Sequence, residues 1–116
     1  MNSNLPPTLL DERAVIGCLI AYASETQKEI KDLGLTCSHF TDFDCKKVFE
    51  AAKRLVFSGE PVDAITLQRE SGLDAATIQR LIEAACINGQ QAYHGKRIQA
   101  AHVKRTALKE IEAANE

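Results

Sequence analysis

Four groups of residues in this chain could do chemistry: the triplet Gly95-Lys96-Arg97, the pair Cys37 and His39 with Cys45 nearby, a basic run from His94 to Lys109, and Asp63 beside a proline turn. A nucleotide-phosphate loop needs G-x-x-x-x-G-K-[ST], because backbone amides must wrap the phosphates with a lysine and a magnesium-binding hydroxyl behind them. Here Gln90 stands at the first glycine and the hydroxyl is missing, so nucleotide binding by that route is excluded. Structural zinc takes four ligands in paired short spacings; Cys37, His39 and Cys45 offer neither, and no metal or other cofactor is expected. Serine, cysteine, histidine and carboxylates all occur, but no spacing gathers them into a nucleophile, base and orienting acid. The expectation is a chain without catalysis of its own.

From Gln91 to Lys109 the charged residues are all basic: Lys96, Arg97, Lys104, Arg105 and Lys109, with His94 and His102 added. His94, Arg97, Lys104 and Arg105 are the candidates for phosphate contact. The plainer reading is a solvated helix face whose cations suit the C-terminal half of the helix dipole, and no aromatic residues are interleaved to stack on bases.

These residues are carried on elements that the composition restricts. A chain of 116 residues makes one domain with a core of its own. Only 5% of residues are aromatic while 45% are hydrophobic, so the core is built from Leu, Ile, Val and Ala, which favours helix packed on helix. The net charge of −2 gives no global attraction to nucleic acid or acidic lipid. No apolar run approaches the roughly 18 to 20 residues of a membrane span, and the first residues lack a secretory signal's basic start and apolar stretch. A cytoplasmic location without a membrane partner is expected. Cys18, Cys37, Cys45 and Cys86 form no C-x-x-C pair and are expected as reduced thiols, three of them on apolar helix faces.

Along the chain, residues 1–8 with Pro6-Pro7 predict an extended arm. The single helical domain, 9–116, then follows as helix and stop repeated six times. Thr8 caps a first helix whose apolar positions are Leu10, Ala14, Val15, Cys18, Leu19 and Tyr22; Gly17 inside it costs about 1 kcal/mol of helix propensity, which signals a second backbone packed close. Ser24 to Gln27 reads as a capping box opening a helix that ends at Gly34-Leu35. A third helix from Asp42 turns Cys45, Val48, Phe49, Ala52, Leu55 and Val56 to one face. It stops at Ser58-Gly59. Gly59 to Leu67 forms an elbow: Gly59 closes one helix, Pro61 forbids an immediate restart, and Asp63 caps the next, with Val62 and Ile65 as flanking anchors. In that setting Asp63 reads as a cap rather than a catalytic acid. A short helix ends at Ser71-Gly72, and Asp74 caps a fifth helix predicted to continue to Asn88-Gly89. The last helix, from Gln91, carries a seam of small and apolar residues at Tyr93, Ala100, Val103, Ala107, Ile111 and Ala114, which would let another helix approach closely. No period-2 alternation predicts strand. The fold expected is all-α, a compact bundle of about six helices.

Leu5-Pro6-Pro7 followed by Asp11-Glu12-Arg13-Ala14-Val15-Ile16-Gly17-Cys18-Leu19 resembles the opening of the N-terminal domain of DnaB-type replicative helicases. Phe40, Val48-Phe49-Glu50-Ala51 and Gly59-Glu60-Pro61-Val62-Asp63-Ala64-Ile65-Thr66-Leu67 are similar in order and spacing to that family's core phrases, and Tyr93, Ile98 and Arg105 to its last helix. Gly17, Phe40, Phe49, Gly59, Pro61, Asp63 and Leu67 are the signature. Cys45 stands where the family often has a histidine, and the segment from Leu73 to Gln91 lacks the usual glycine-rich phrase, so a divergent member of phage or mobile-element type is expected.

The resemblance implies a non-catalytic collar domain that associates with other helicase subunits and docks primase or a helicase loader during DNA replication. ATP hydrolysis and any strong DNA contact would belong to a separate motor. It also implies that the last helix continues into a hairpin that pairs subunits. The chain ends where that hairpin would begin, so an excised domain is the simplest expectation. Tyr93, Ala100, Val103, Ala107 and Ile111 are then the candidate interface. Two other readings are a stand-alone adaptor or regulator of helicase or primase, and a helical nucleic-acid-binding domain using the basic last helix.

Overall fold

Every residue from Ala14 to Ile20 is buried, which a surface helix with one apolar stripe cannot achieve. The computed structural model, which describes residues 8–114, shows why: this helix, α1 (Leu9–Ala21), packs against every other helix. Around it lie α2 (Ala23–Leu33), a 3₁₀ turn at Cys37–His39, α3 (Phe43–Phe57), α4 (Ala64–Ser71), α5 (Ala75–Glu83) and α6 (Gln91–Ala114). The described residues form six helices and no strand, the all-α bundle expected. The arm expected over 1–8 lies, apart from Thr8, outside them.

Glu12 in the first turn of α1 is fully buried. One carboxylate oxygen accepts the backbone N–H of Thr41 at 2.6 Å and of Asp42 at 2.9 Å; the other accepts the hydroxyls of Thr41 at 2.6 Å and Thr8 at 3.1 Å. Asp42 is the N-cap of α3, and its own side chain accepts the N–H of Cys45. A carboxylate on α1 therefore satisfies free amides at the positive end of α3 and fixes where α3 begins. The sequence placed Glu12 only as a first-turn acid facing its own helix dipole. It also placed Thr8 as a side-chain cap, but the Thr8 hydroxyl goes to Glu12 instead and makes no cap bond.

Gly17 is the closest approach in the core. A Cβ built there would lie 2.2 Å from the carbonyl oxygen of Leu81 and 2.7 Å from the amide of Ala85. The close second backbone inferred from a mid-helix glycine is thus the end of α5. That crossing also explains why α5 stops at Glu83 instead of running to Asn88: the chain beyond it passes against α1, with the Cys86 N–H reaching the Ala14 carbonyl and the Cys86 sulfur 3.1 Å from that of Cys18. Burial pushes the Cys18 thiol up to about 12. Cys86 is partly buried and lies off the helix on which it was expected.

The elbow is built as its residues predict. Gly59 has φ +71°, its N–H and that of Glu60 reach back to Val56 and Leu55, and the chain leaves α3 at once. Asp63 caps α4 by accepting the Thr66 N–H at 2.8 Å, while the Thr66 hydroxyl accepts the Asp63 N–H at 2.9 Å. These bonds hold the Asp63 carboxyl below the ordinary carboxylate range. Leu67 is fully buried, and Arg54 ties α3 to α4 through both the side chain and the carbonyl of Glu70.

Several apolar positions read as core face the solvent. Leu10 is 79% exposed, Ile65 78% and Val56 53%. With Asp11 and Glu12 both turned into the protein, the first turn of α1 presents Leu10 outward. The capping box at Ser24 is not formed either: α2 starts at Ala23 directly after Tyr22, and the Thr26 side chain is buried, where its hydroxyl accepts a hydrogen from the Gln91 amide.

Replacing Gly17 with Ala is expected to lower stability by about 2 kcal/mol or more, since the new methyl meets backbone that cannot rotate away. Thermal melts followed by circular dichroism check this; a variant as stable as the parent contradicts the crossing. Glu12→Ala, which strands two backbone amides and two hydroxyls, is expected to cost about 3 kcal/mol, with Glu12→Gln in between. Equal urea midpoints for Glu12→Ala and the parent would show that the carboxylate does not hold α3.

Candidate interaction surfaces

The 24 residues of α6, about 36 Å of helix, divide into a docked half and a free half. In the docked half Gln91 is buried: its amide donates to Thr26 and Asn88, and its oxygen accepts the Gly89 N–H. Gly95 lies against the side chain of Leu33, Ile98 is fully buried, and Gln99 donates to the Leu33 carbonyl. From Thr106 onward every described residue is exposed.

The basic face of α6 is the face that docks. His94 Nδ1 lies 2.8 Å from Asp11 Oδ1, and the Arg97 Nε donates to both Asp11 oxygens at 3.1 Å. Asp11 and Glu12, neighbours in sequence, thus fasten different elements to α1. Farther along, the His102 ring lies 4.4 Å from that of His39, inclined to it by 51°, and Arg105 donates to the His39 carbonyl. Of the four residues considered for phosphate contact, His94, Arg97 and Arg105 have internal partners and Lys104 is exposed. A phosphate would compete with Asp11 for His94 and for the Nε of Arg97, whose side chain is otherwise half exposed. Helical periodicity puts His94, His102, Arg105 and Lys109 on the side opposite the small-residue seam; it could not show that a carboxylate of α1 waited for His94 there.

The opposite side of α6 is the seam read from the sequence. Tyr93, Ala100, Val103, Ala107 and Ile111 are all exposed, and Leu108 adds a further exposed apolar side chain. No described residue covers this stripe. The signature residues, by contrast, are structural: Phe40 and Phe49 pack in the core with ring centroids 5.1 Å apart and their planes tilted by 39°, and Gly59, Pro61 and Asp63 form the elbow.

Sequence reasoning missed a second surface. Between α2 and α3 runs an apolar groove of about 690 Å³, floored by Leu19 and Leu35 and walled by Ile30 on one side and Phe49, Ala52 and Val56 on the other. Lys28 and Lys31 stand on the α2 rim and Lys53 on the α3 rim; no carboxylate lines it. Phe57, at its edge, is 94% exposed. The sequence signal was there in Val56-Phe57, two apolar residues in a last turn that cannot both face one core.

Among the described residues no three His, Cys, Asp or Glu side chains stand together as a metal site. Cys37 donates to Glu50 and Cys45 is buried, away from His39, whose Nδ1 accepts the Thr36 N–H. No described helix is long and apolar enough to cross a membrane.

The sequence model for the DnaB-like helicase N terminal domain matches residues 4–100. The structure is similar to the crystal structure of the N-terminal domain of DnaB helicase from Mycobacterium tuberculosis, with a TM-score of 0.79 and 19% identity, covering 87% of this chain and 76% of that one. At that identity the likeness is one of fold. Among curated proteins none matches.

The His39 ring is held below its ordinary pKa, first by burial and then by the charges of His102 and Arg105. Only the neutral ring can accept the Thr36 N–H at Nδ1. As the pH falls through the range around 6.5, the unfolded chain takes up this proton before the folded one, so stability falls. Urea titrations at neutral and mildly acidic pH should show that loss, and His39→Asn should reduce it; an unchanged slope in the variant would assign the titration elsewhere.

Proposed function

The chain belongs to the DnaB-like helicase N-terminal domain family, and on that premise we propose that it is a non-catalytic assembly and docking domain of a replicative DNA helicase. Its role is to associate with other helicase subunits and to dock primase or a helicase loader. The observation that carries this reading is the free half of α6. An isolated helical segment of that length is marginal in water, and here it displays Ala100, Val103, Ala107 and Ile111 to solvent. Alanines at this spacing let a second helix approach to about 8 Å, so the occupant proposed is the same stripe of a second copy. The engagement of His94 and Arg97 by Asp11, and of Arg105 by the His39 carbonyl, supports a protein partner over nucleic acid.

Sedimentation velocity of the chain is expected to show concentration-dependent dimers that Ala107→Glu abolishes, at unchanged helicity because Ala107 is exposed. A chain that stays monomeric at every concentration, or a dimer indifferent to the substitution, counts against the seam. Addition of a helicase-binding domain from a cognate primase is expected to give a faster-sedimenting complex. Its absence, also from a chain extended beyond Glu116, would remove the docking role.

A further inference from the structure

The groove between α2 and α3 has a definite chemistry. Its interior is apolar: beside three lysines, its polar side chains are Gln27 and Thr36, and the Thr36 hydroxyl is already bonded to Ser38 and His39. A small polar ligand needs a few convergent polar groups to orient it, and the floor offers none. An extended peptide would need a free sheet edge, and the described residues contain no strand. What remains is an amphipathic helix that lays apolar side chains on Leu19, Leu35 and Phe49, with the exposed Phe57 ring closing over it.

The rim then selects its flanks. Lys28 and Lys31 lie on one bank and Lys53 on the other, with no carboxylate among the lining residues to neutralise them locally. The one nearby pair, Lys28 with Asp32 at 3.1 Å, is exposed and therefore weak. We infer that the α2–α3 groove is a docking site for an amphipathic helix of a partner protein whose apolar stripe is flanked on both sides by Asp or Glu. This names the kind of partner for the docking role proposed above and rests on that role, but not on pairing through α6. The free end of α6 in a second copy is a poorer fit, because Lys104, Arg105 and Lys109 outnumber Glu110 and Glu112 there. Rim lysines would speed association and set the charge preference, while the apolar floor would hold the complex.

The test uses two fluorescein-labelled designed helices of about 18 residues, five turns, with one identical Leu stripe and either Glu or Lys on both flanks. Fluorescence anisotropy on the full chain is expected to give at least tenfold tighter binding of the Glu-flanked helix at low salt, with the preference shrinking as salt rises. The double variant Lys31→Glu/Lys53→Glu, altered only at exposed positions, is expected to invert the preference. Val56→Arg, which projects a charged side chain into the groove from a half-exposed site, is expected to abolish binding of both helices. Equal affinities for the two helices, no binding of either, or indifference to Val56→Arg overturns the proposal. So does equally tight binding of a peptide spanning 100–114, which would make the occupant a second copy. Sedimentation of the same variants separates the outcomes: loss of helix binding with dimers retained concerns the groove, and loss of dimers with helix binding retained concerns the α6 seam.

Discussion

A single buried carboxylate sets the geometry of this domain. Glu12 has no cationic partner among the described residues; its charge is held by four donors, two of them backbone amides at the start of α3. Taking a carboxylate out of water is costly unless every lone pair is used, so the site tolerates little displacement. That rigidity passes to α3, hence to the elbow at its far end and to α4 beyond. No buried side-chain polar atom among the described residues lacks a partner, so the network is complete and not a residual strain.

The other constraint is the burial of α1 on all sides. Because five helices surround it, the core is spent on holding them, and each outer helix has only part of its surface buried. Gly17 lets α5 cross at backbone distance; Asp11 seats α6; Glu12 seats α3. Function must then lie on the outward faces. Two of these are apolar and uncovered, the groove between α2 and α3 and the stripe along α6, and they lie on different elements. A domain with that division can bind a partner and a second copy at once, without chemistry of its own, which suits the role proposed for it.

Much of the fold was legible. The caps at Asp63 and Asp74, the start of α3 at Asp42, the stops at Gly34, Gly59 and Gly72, and the close approach at Gly17 are local or nearly local devices, and their residue types have few other uses. The seam on α6 was legible as well, because period and side-chain size are properties of the sequence. Less was legible about direction. Periodicity sorted α6 into a basic and a small-residue side, but gave the basic side to solvent, whereas Asp11 draws it inward. Leu10, Val56 and Ile65 fit the apolar pattern of their helices and face solvent all the same. The groove was missed because it belongs to no element: α2 and α3 each contribute one wall, and α1 and Leu35 contribute the floor.

By itself, the order of residues determined the six helices, most of their stops, the absence of a phosphate loop, and the family phrases that the comparison matched. These depend on interactions spanning a few residues, or on spacing alone. Tertiary structure decided which charges are internal, where α5 must stop, and which apolar residues are left for partners. Asp11 reaches across 83 residues to His94 and Glu12 across 29 to Thr41. No local rule ranks such pairings, since each carboxylate could equally have served its own helix terminus; only the packing of α1 among its neighbours removed water from one choice and left the other exposed.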